Sequence, residues 1–559
     1  MKVFLAQQNY HIGNFESNTN KIIQAISNAK NEKADLIVFS ELAICGYPPR
    51  DFLYFEDFVN QAMKHIDKIA MAADGIAVLV GAPHINTEAK GKRLFNAAYF
   101  LAEKEIKQIV HKTCLPTYDV FDENRYFESS KSWNVIKWKG KSIAVTICED
   151  IWNVGDHPLY SFCPMDMMID QQPDVMINLS ASPFDYTHIE DRKAILKENV
   201  KKYNLPIFYC NAVGSQTEII FDGNSMVFDK HGNICGSLKR FEEDYQGFYL
   251  NDDGSIEEAI IEKNEAIRSE ELNPIVFTPN LNIELIYEAL VLGIKDYFQK
   301  MGFKKAIIGS SGGIDSAVTL AIATKALGAE NVNAILMPSE FSSDHSVDDA
   351  VLLSKHLNNP YNIIPIKNVY DSFLTSLEPL FNDLPFGLAE ENIQSRSRGN
   401  LLMAIANKFG YILLNTSNKS ELATGYGTLY GDMAGGIGVL GDCYKLQVYE
   451  LAKYINLEKE IIPNNIISKA PSAELRPNQK DADSLPDYAV LDSILYQYIE
   501  QVKSPEEIKK MGNDSMLVDR ILHLVNSNEY KRNQFCPVIR ISPKAFGVGR
   551  RMPIVAKYL

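Results

Sequence analysis

The sequence predicts an α/β protein built in two large parts, and three observations carry that prediction. Short apolar runs recur along the chain at strand length, with helical stretches between several of them. A glycine-rich turn, Gly309-Ser310-Ser311-Gly312-Gly313, stands between one such run and a helical stretch. At 559 residues the chain exceeds a single core, and a charged stretch, 251–280, with turn residues at both ends, separates two blocks. Length alone suggests roughly three or four domains. The motifs described below argue for two, over residues 1–250 and 281–559, with 251–280 as a connection that has room for one short helix.

In the first block the strand-like runs are 3–6, 36–39, 76–80, 106–110, 143–147, 175–179 and 207–209. Helical periodicity marks 18–30 and 57–71, and 225–236 reads as a hairpin turned at His231-Gly232-Asn233. Three reactive residue types stand at the ends of runs: Glu41 after LIVFS, Lys112 after IKQIVH, and Cys148 closing SIAVTIC. Side chains at the carboxyl ends of neighbouring strands can meet at one sheet edge, where α/β proteins place their sites. Taken singly, each has an ordinary reading: a buried cysteine as a small core residue, a lone Glu or Lys as a solvated one.

Their surroundings favour chemistry. The strings Phe39-Ser40-Glu41-Leu42, His111-Lys112-Thr113-Cys114-Leu115-Pro116-Thr117-Tyr118 with Phe121-Asp122-Glu123, and Ile147-Cys148-Glu149-Asp150-Ile151-Trp152 resemble the nitrilase superfamily over roughly residues 1–250. The resemblance implies an α-β-β-α sandwich with a Glu-Lys-Cys constellation. It implies that Glu41 takes the proton of Cys148 and later returns one to leaving ammonia, while Lys112 offers charge to the oxyanion. A thiol is mostly protonated near neutral pH, so such partners answer a chemical need. The glutaminase branch further implies that Tyr118, Ser182 and His188 hold the amino-acid end of glutamine, His188 standing where many relatives carry a lysine.

In the second block a helical stretch, 283–299, leads to the apolar run 306–308 and the glycine turn. From Asp315 the helical pattern is apolar nearly all round, so that helix should be buried. Runs at 332–337, 362–366 and 411–414 with helices between them imply a parallel sheet covered on both faces. Met337-Pro338-Ser339 should lie on the edge that carries the glycine turn. Strand, turn and helix N-terminus together make a cradle for anions. No Gly-Lys-Ser/Thr follows, so it is not a Walker A loop.

Ser311-Gly312-Gly313-Ile314-Asp315-Ser316 instead resembles the loop of the ATP pyrophosphatases. The strings around Asn392–Arg398, Asn415–Glu421, Gly425–Gly436, Pro471–Leu475 and Glu529–Arg532 resemble the NAD synthetases over about 280–559. That implies a Rossmann-like sheet in which Gly309, Ser310, Ser311, Gly312, Gly313, Ile314, Asp315 and Ser316 hold the phosphates of ATP. It implies that Thr416 also contacts ATP, that Lys445 faces the reacting phosphates, and that Asp315 and Glu421 ligate Mg²⁺. Asn392, Glu421, Asp432 and Lys531 fall on the dinucleotide side.

Composition narrows the partners. The net charge of −15 argues against nucleic acid as a general partner. Residues 530–559 are the exception, with seven basic residues (Lys531, Arg532, Arg540, Lys544, Arg550, Arg551, Lys557) and no acidic one, which suggests a local phosphate site. Eight scattered cysteines without CxxC suit reduced thiols. The first residues have no long apolar core or cleavage site, and no apolar run approaches the ~20 residues of a membrane span, so a cytoplasmic location is expected.

A nitrilase-like amidase followed by an NAD synthetase block resembles the glutamine-dependent NAD⁺ synthetase family. The resemblance implies that ATP adenylates the carboxylate of deamido-NAD⁺, that ammonia from glutamine displaces AMP, and that the chain forms a homo-oligomer. Two other readings stay open at this point. One is another amidotransferase of the same loop family, making GMP or asparagine. The other is a non-catalytic dinucleotide-binding protein with a degenerate amidase block.

Overall fold

In the computed structural model the described residues are 1–558 except 89, 156–157, 259–275, 383, 478, 480 and 484. They form two compact units, Met1–Phe184 with His188–Leu272, and Asp185–Thr187 with Asn273–Leu559. The short helix expected in the connection falls within 259–275 and lies outside the described residues. Just before it, Ile256–Glu258 is a strand paired with Asp244–Leu250.

The first unit is a sandwich of two sheets. One runs, edge to edge, Ile256–Glu258, Asp244–Leu250, Lys2–Gln7, Leu36–Val38, Ala77–Ile85, Leu94–Ala102 and Glu105–His111. The other runs Ile234–Ser237, Met226–Phe228, Ile207–Asn211, Val175–Ser180, Lys141–Ile147 and Ile136–Trp138. The period-2 alternation of a strand sorts side chains between layers. Val3 and Leu5 join Ile143, Val145, Ile177 and Phe208 in the core between the sheets. Phe4 and Ala6 face outward, in a cluster with Ile22, Ile26, Val59 and Ile66 from helices Phe15–Asn31 and Glu56–Ala72. On the other outer face, Ala144, Met176 and Tyr209 pack with Leu196 and Val200 of helix His188–Tyr203. The layers are therefore α-β-β-α, and the hairpin expected at 225–236 is present as Met226–Phe228 against Ile234–Ser237.

Strand Leu94–Ala102 was not among the expected runs. Eight of its nine residues are buried, so the alternation that marks a half-buried strand is missing from LFNAAYFLA.

The second unit holds a five-stranded sheet in the order Tyr361–Ile363, Val332–Leu336, Ala306–Gly309, Ile412–Asn415, Ile437–Gly438, every pair parallel. Ile307, Ile335 and Leu413 pack on one face against Leu402 and Ala406 of helix Leu388–Phe409. Helix Ile314–Leu327, buried continuously from Ser316 to Ala323, lies against the other. The run expected at 362–366 ends as a strand at Ile363, because Pro365 has no N–H to give to a ladder. Among the described residues no helix is long and apolar enough to cross a membrane.

Candidate active sites

In the first unit Glu41, Lys112 and Cys148 converge, but not at one sheet edge. Glu41 and Lys112 follow strands of the first sheet, Leu36–Val38 and Glu105–His111, whereas Cys148 follows Lys141–Ile147 of the second. The site is thus an end of the sandwich, where the two sheets face each other. Lys112, with no exposed surface, donates from Nζ to Glu41 Oε1 at 2.7 Å and to Glu123 Oε1 at 2.8 Å. Asn96 donates to Glu41 Oε1 at 2.6 Å and Glu123 Oε2 at 3.2 Å, and the Ala181 N–H reaches Glu41 Oε2 at 3.1 Å. Gly81 allows the turn at Glu41 to sit this close. A Cβ there would lie 2.3 Å from the Leu42 nitrogen and 2.8 Å from the Glu41 carbonyl carbon.

The electrostatics fit a thiol that needs a base. Burial, then the charge of Glu41, pushes the Cys148 thiol well above its usual range, against the pull of Lys112. Burial alone would lower Lys112, yet Glu123 and Glu41 override it and hold its proton well above the ordinary lysine value. Cys148 itself sits at φ +44°, a left-handed conformation that a cysteine adopts only under constraint. Asp150 supplies that constraint. Its carboxylate accepts from the N–H groups of Ile147, Thr113 and Cys114 at 3.0, 3.0 and 2.8 Å, tying the turn at Cys148 to the segment after Lys112.

The residues assigned to the amino-acid end of glutamine fall into two groups. Tyr118 donates to both oxygens of Glu149, at 3.0 and 2.9 Å, and Tyr160 adds a bond of 3.2 Å. Ser182 Oγ lies 3.0 Å from His188 Nε2, and His188 stacks on Trp152 with centroids 4.9 Å apart. Asn211 fixes Ser182 by accepting from its N–H at 2.9 Å. Sequence reasoning missed Glu123 and Glu149. Both stand inside the quoted strings, but an acidic residue in a turn carries no mark of burial.

In the second unit one pocket is lined by Gly309, Ser310, Ser311, Gly313, Ile314, Asp315 and Ser316 together with Met337, Thr416, Glu421, Asp432 and Lys445. The glycine turn is held tightly. Ser310 N–H donates to Ile335 O at 2.9 Å, and Gly312, at φ +79°, leaves no room for a side chain, since a Cβ would lie 2.2 Å from Ser346 O. Lys445 Nζ donates to Asp315 Oδ2 at 2.5 Å and lies 3.9 Å from Glu421. Asn418 donates to Asp315 Oδ1 at 2.8 Å and, with Glu421, forms the capping box of helix Lys419–Thr424. Burial, then the charge of Asp315, pushes the Glu421 carboxyl well up.

Gly312, Asn392 and Lys531 are not in that lining. Asn392 accepts from Thr428 Oγ1 at 2.7 Å, and Lys531 Nζ donates to the carbonyls of Gly425 and Gly427 at 2.7 and 2.8 Å. Both brace the turn that carries Asp432, whose Oδ1 accepts from Thr428 N–H at 2.6 Å. In the basic tail, Arg532 and Arg550 pair with Glu529 at 2.7 and 3.1 Å, and Arg540 donates to Ser542 O at 3.1 Å. Part of that charge is therefore used within the fold.

Residues 2–247 match the carbon-nitrogen hydrolase family and residues 286–535 the NAD synthase family, so the chain joins an amidohydrolase-class unit to a synthase-class unit. It is 45% identical over 563 residues to the glutamine-dependent NAD(+) synthetase of Synechocystis sp., covering 100% of this chain and 99% of the relative. The corresponding protein of Thermotoga maritima is 40% identical, with 100% and 99% covered. The structure of glutamine-dependent NAD⁺ synthetase from Acinetobacter baumannii in complex with adenosine diphosphate is 38% identical, covers 99% of this chain and 98% of that one, and superposes with a TM-score of 0.77. The chain belongs to the glutamine-dependent NAD⁺ synthetase family.

Proposed function

We propose that this chain is a ligase that converts deamido-NAD⁺ to NAD⁺ with ATP and with ammonia released from glutamine. The observation that carries the reading is the Glu41–Lys112–Cys148 convergence in the unit of carbon-nitrogen hydrolase type, in one chain with a phosphate-loop pocket in the unit of NAD synthase type. In the first unit Glu41 removes the Cys148 proton as sulfur attacks the amide carbon, and Lys112 meets the oxyanion charge. Glu149, buried beside Cys148 and hydrogen-bonded by two tyrosines, supplies the negative charge for the α-ammonium of glutamine. Ser182 and His188 serve its carboxylate end.

In the second unit a carboxylate cannot accept ammonia until one oxygen becomes part of a leaving group. Attack of that oxygen on the α-phosphorus of ATP forms the acyl-adenylate and releases diphosphate, and ammonia then displaces AMP. The Gly309–Ser316 loop and Thr416 hold the phosphates, and Lys445 neutralises charge there. Asn392, Asp432 and Lys531 shape the dinucleotide side. Asp315 and Glu421 fit Mg²⁺: they are hard oxygen donors at the phosphate loop whose mutual repulsion a divalent ion relieves. When bound, the ion supplies charge compensation for diphosphate. Location in the cytoplasm and assembly of several copies complete the reading. Leu380, Leu384 and Leu388 are exposed, and apolar side chains of that kind suit contact with a second copy.

The assay is AMP release with deamido-NAD⁺ against xanthylate and aspartate, each with ATP and ammonia. Release with deamido-NAD⁺ alone supports the reading. Release with xanthylate or aspartate favours another amidotransferase, and release with none favours a binding protein.

A further inference from the structure

Among the described residues, Arg398 is the cation of the second pocket without an ion pair, for Lys445 pairs with Asp315 and Lys469 with Glu474. It stands on helix Leu388–Phe409 and lines the pocket with Ser310 and Asp432. Its Nε donates to the Met337 carbonyl at 3.0 Å. Among the described residues no carboxylate lies within ion-pair distance of it. Burial lowers its pKa to about 10, although the charges of Glu474 and Asp432 pull the other way. A guanidinium has five N–H donors in a rigid fork, and Arg398, half-buried at the pocket wall, gives one of them to Met337. A cation so placed at a pocket wall suits an anionic ligand.

Its place indicates which ligand. Met337 continues strand Val332–Leu336, and Ile335 of that strand accepts from the Ser310 N–H at 2.9 Å. Arg398 and the start of the phosphate loop therefore brace the same strand end. Ser310 Oγ, 4% exposed as a residue, has no hydrogen-bond partner among the described residues. On the other side Ser395, one turn earlier on the Arg398 helix, donates to Asp432 at 3.1 Å. Arg398 thus lies between the loop assigned to the ATP phosphates and the turn assigned to the dinucleotide.

Resting on the proposed function, we propose that Arg398 contacts the α-phosphate oxygens of the adenylyl group that passes from ATP to the carboxylate, with Ser310 Oγ as a second donor. In that step the carboxylate oxygen bonds to the α-phosphorus, the bond from that phosphorus to the bridging oxygen breaks, and diphosphate leaves with the electron pair. Arg398 keeps its proton and meets the charge that gathers on the non-bridging oxygens.

The test uses the full chain with Arg398→Met and Arg398→Lys, and two readouts: ammonia-dependent AMP release, and the thermal midpoint with and without ATP and Mg²⁺. Arg398→Met should leave the midpoint of the free protein near that of the unaltered chain, because the half-buried guanidinium has no ion pair to lose. It should lose most of the shift produced by ATP, and the turnover should fall about a hundredfold. Arg398→Lys, with charge but no fork, should recover only part. Unchanged turnover and KM for ATP in Arg398→Met would overturn the proposal. A midpoint that drops in the Met variant and returns with full rate in the Lys variant would also overturn it, by assigning Arg398 a structural role at Met337. If the unaltered chain released no AMP with deamido-NAD⁺, the underlying reading would fail instead.

Discussion

Lys112→Met tests the electrostatic logic of the thiol site. The ammonium lies 2.7 Å from Glu41 and 2.8 Å from Glu123, and all three side chains are buried. Methionine keeps much of the volume and removes the charge, leaving two carboxylates in an apolar setting with Asn96 as their shared donor. Breaking a buried pair from one side costs ~3–5 kcal/mol. For a unit of this size that corresponds to a fall of roughly 6–20 °C in thermal midpoint. Burial already raises the Glu123 carboxyl, with Lys112 as the main opposing pull, so removing Lys112 raises it further. A carboxyl whose folded value lies above its unfolded value of about 4.3 favours the folded state in its protonated form. The destabilisation should therefore be small below about pH 4 and grow as pH rises through the range between those values. Adding Glu123→Gln should recover part of the stability but none of the glutaminase activity. Calorimetric scans from pH 4 to 8, with glutamine hydrolysis measured in parallel, provide the check. A pH-independent midpoint equal to that of the unaltered chain would refute the coupled cluster.

Three further outcomes are expected. Gly312→Ala should abolish AMP release with ammonia, since the new Cβ would meet Ser346 O at 2.2 Å in a left-handed backbone; intact release would mean the loop can move aside. Burial raises Glu149 to about 7, so its carboxyl is neutral below that pH, and kcat/KM for glutamine should rise with pH through about 7. In Glu149→Gln that limb should vanish and KM for glutamine should rise; a retained limb would exclude Glu149. Lys531→Ala should raise KM for deamido-NAD⁺ roughly ten- to a hundredfold, and far more than KM for glutamine. A parallel rise in both would point to general loss of structure.

What could be read from the residues, and what could not, follows from the physics of burial. Glu41, Lys112 and Cys148 were singled out because each follows or closes an apolar run inside a string that resembles the nitrilase superfamily. Which of the two expected sheets each run joins was not legible, because pairing between strands distant in sequence leaves no local trace. Strand Leu94–Ala102 was hidden for a related reason, since burial on both faces erases its period. The glycine turn at 309–313 was legible because left-handed backbone restricts residue choice, and Gly312 shows the restriction directly. Glu123 and Glu149 look like surface acids until burial is known. Arg396 and Arg398 are alike in sequence, yet one donates to Leu429 O and the other to Met337 O at the pocket. Of the tail cations, Arg532 and Arg550 find Glu529, one residue outside the stretch whose composition drew attention.

The central claim is that one chain carries two separable chemistries, and Cys148→Ala tests it most directly. The substitution removes the proposed nucleophile from the first unit and leaves the second unit's pocket, which contains no residue of the first, untouched. NAD⁺ formation should then be measured twice, with glutamine and with ammonia, under saturating ATP and deamido-NAD⁺. The account predicts that synthesis from glutamine is abolished while synthesis from ammonia continues near the rate of the unaltered chain. Synthesis from glutamine at a near-normal rate, or loss of both activities in a protein with an unchanged thermal midpoint, would contradict it.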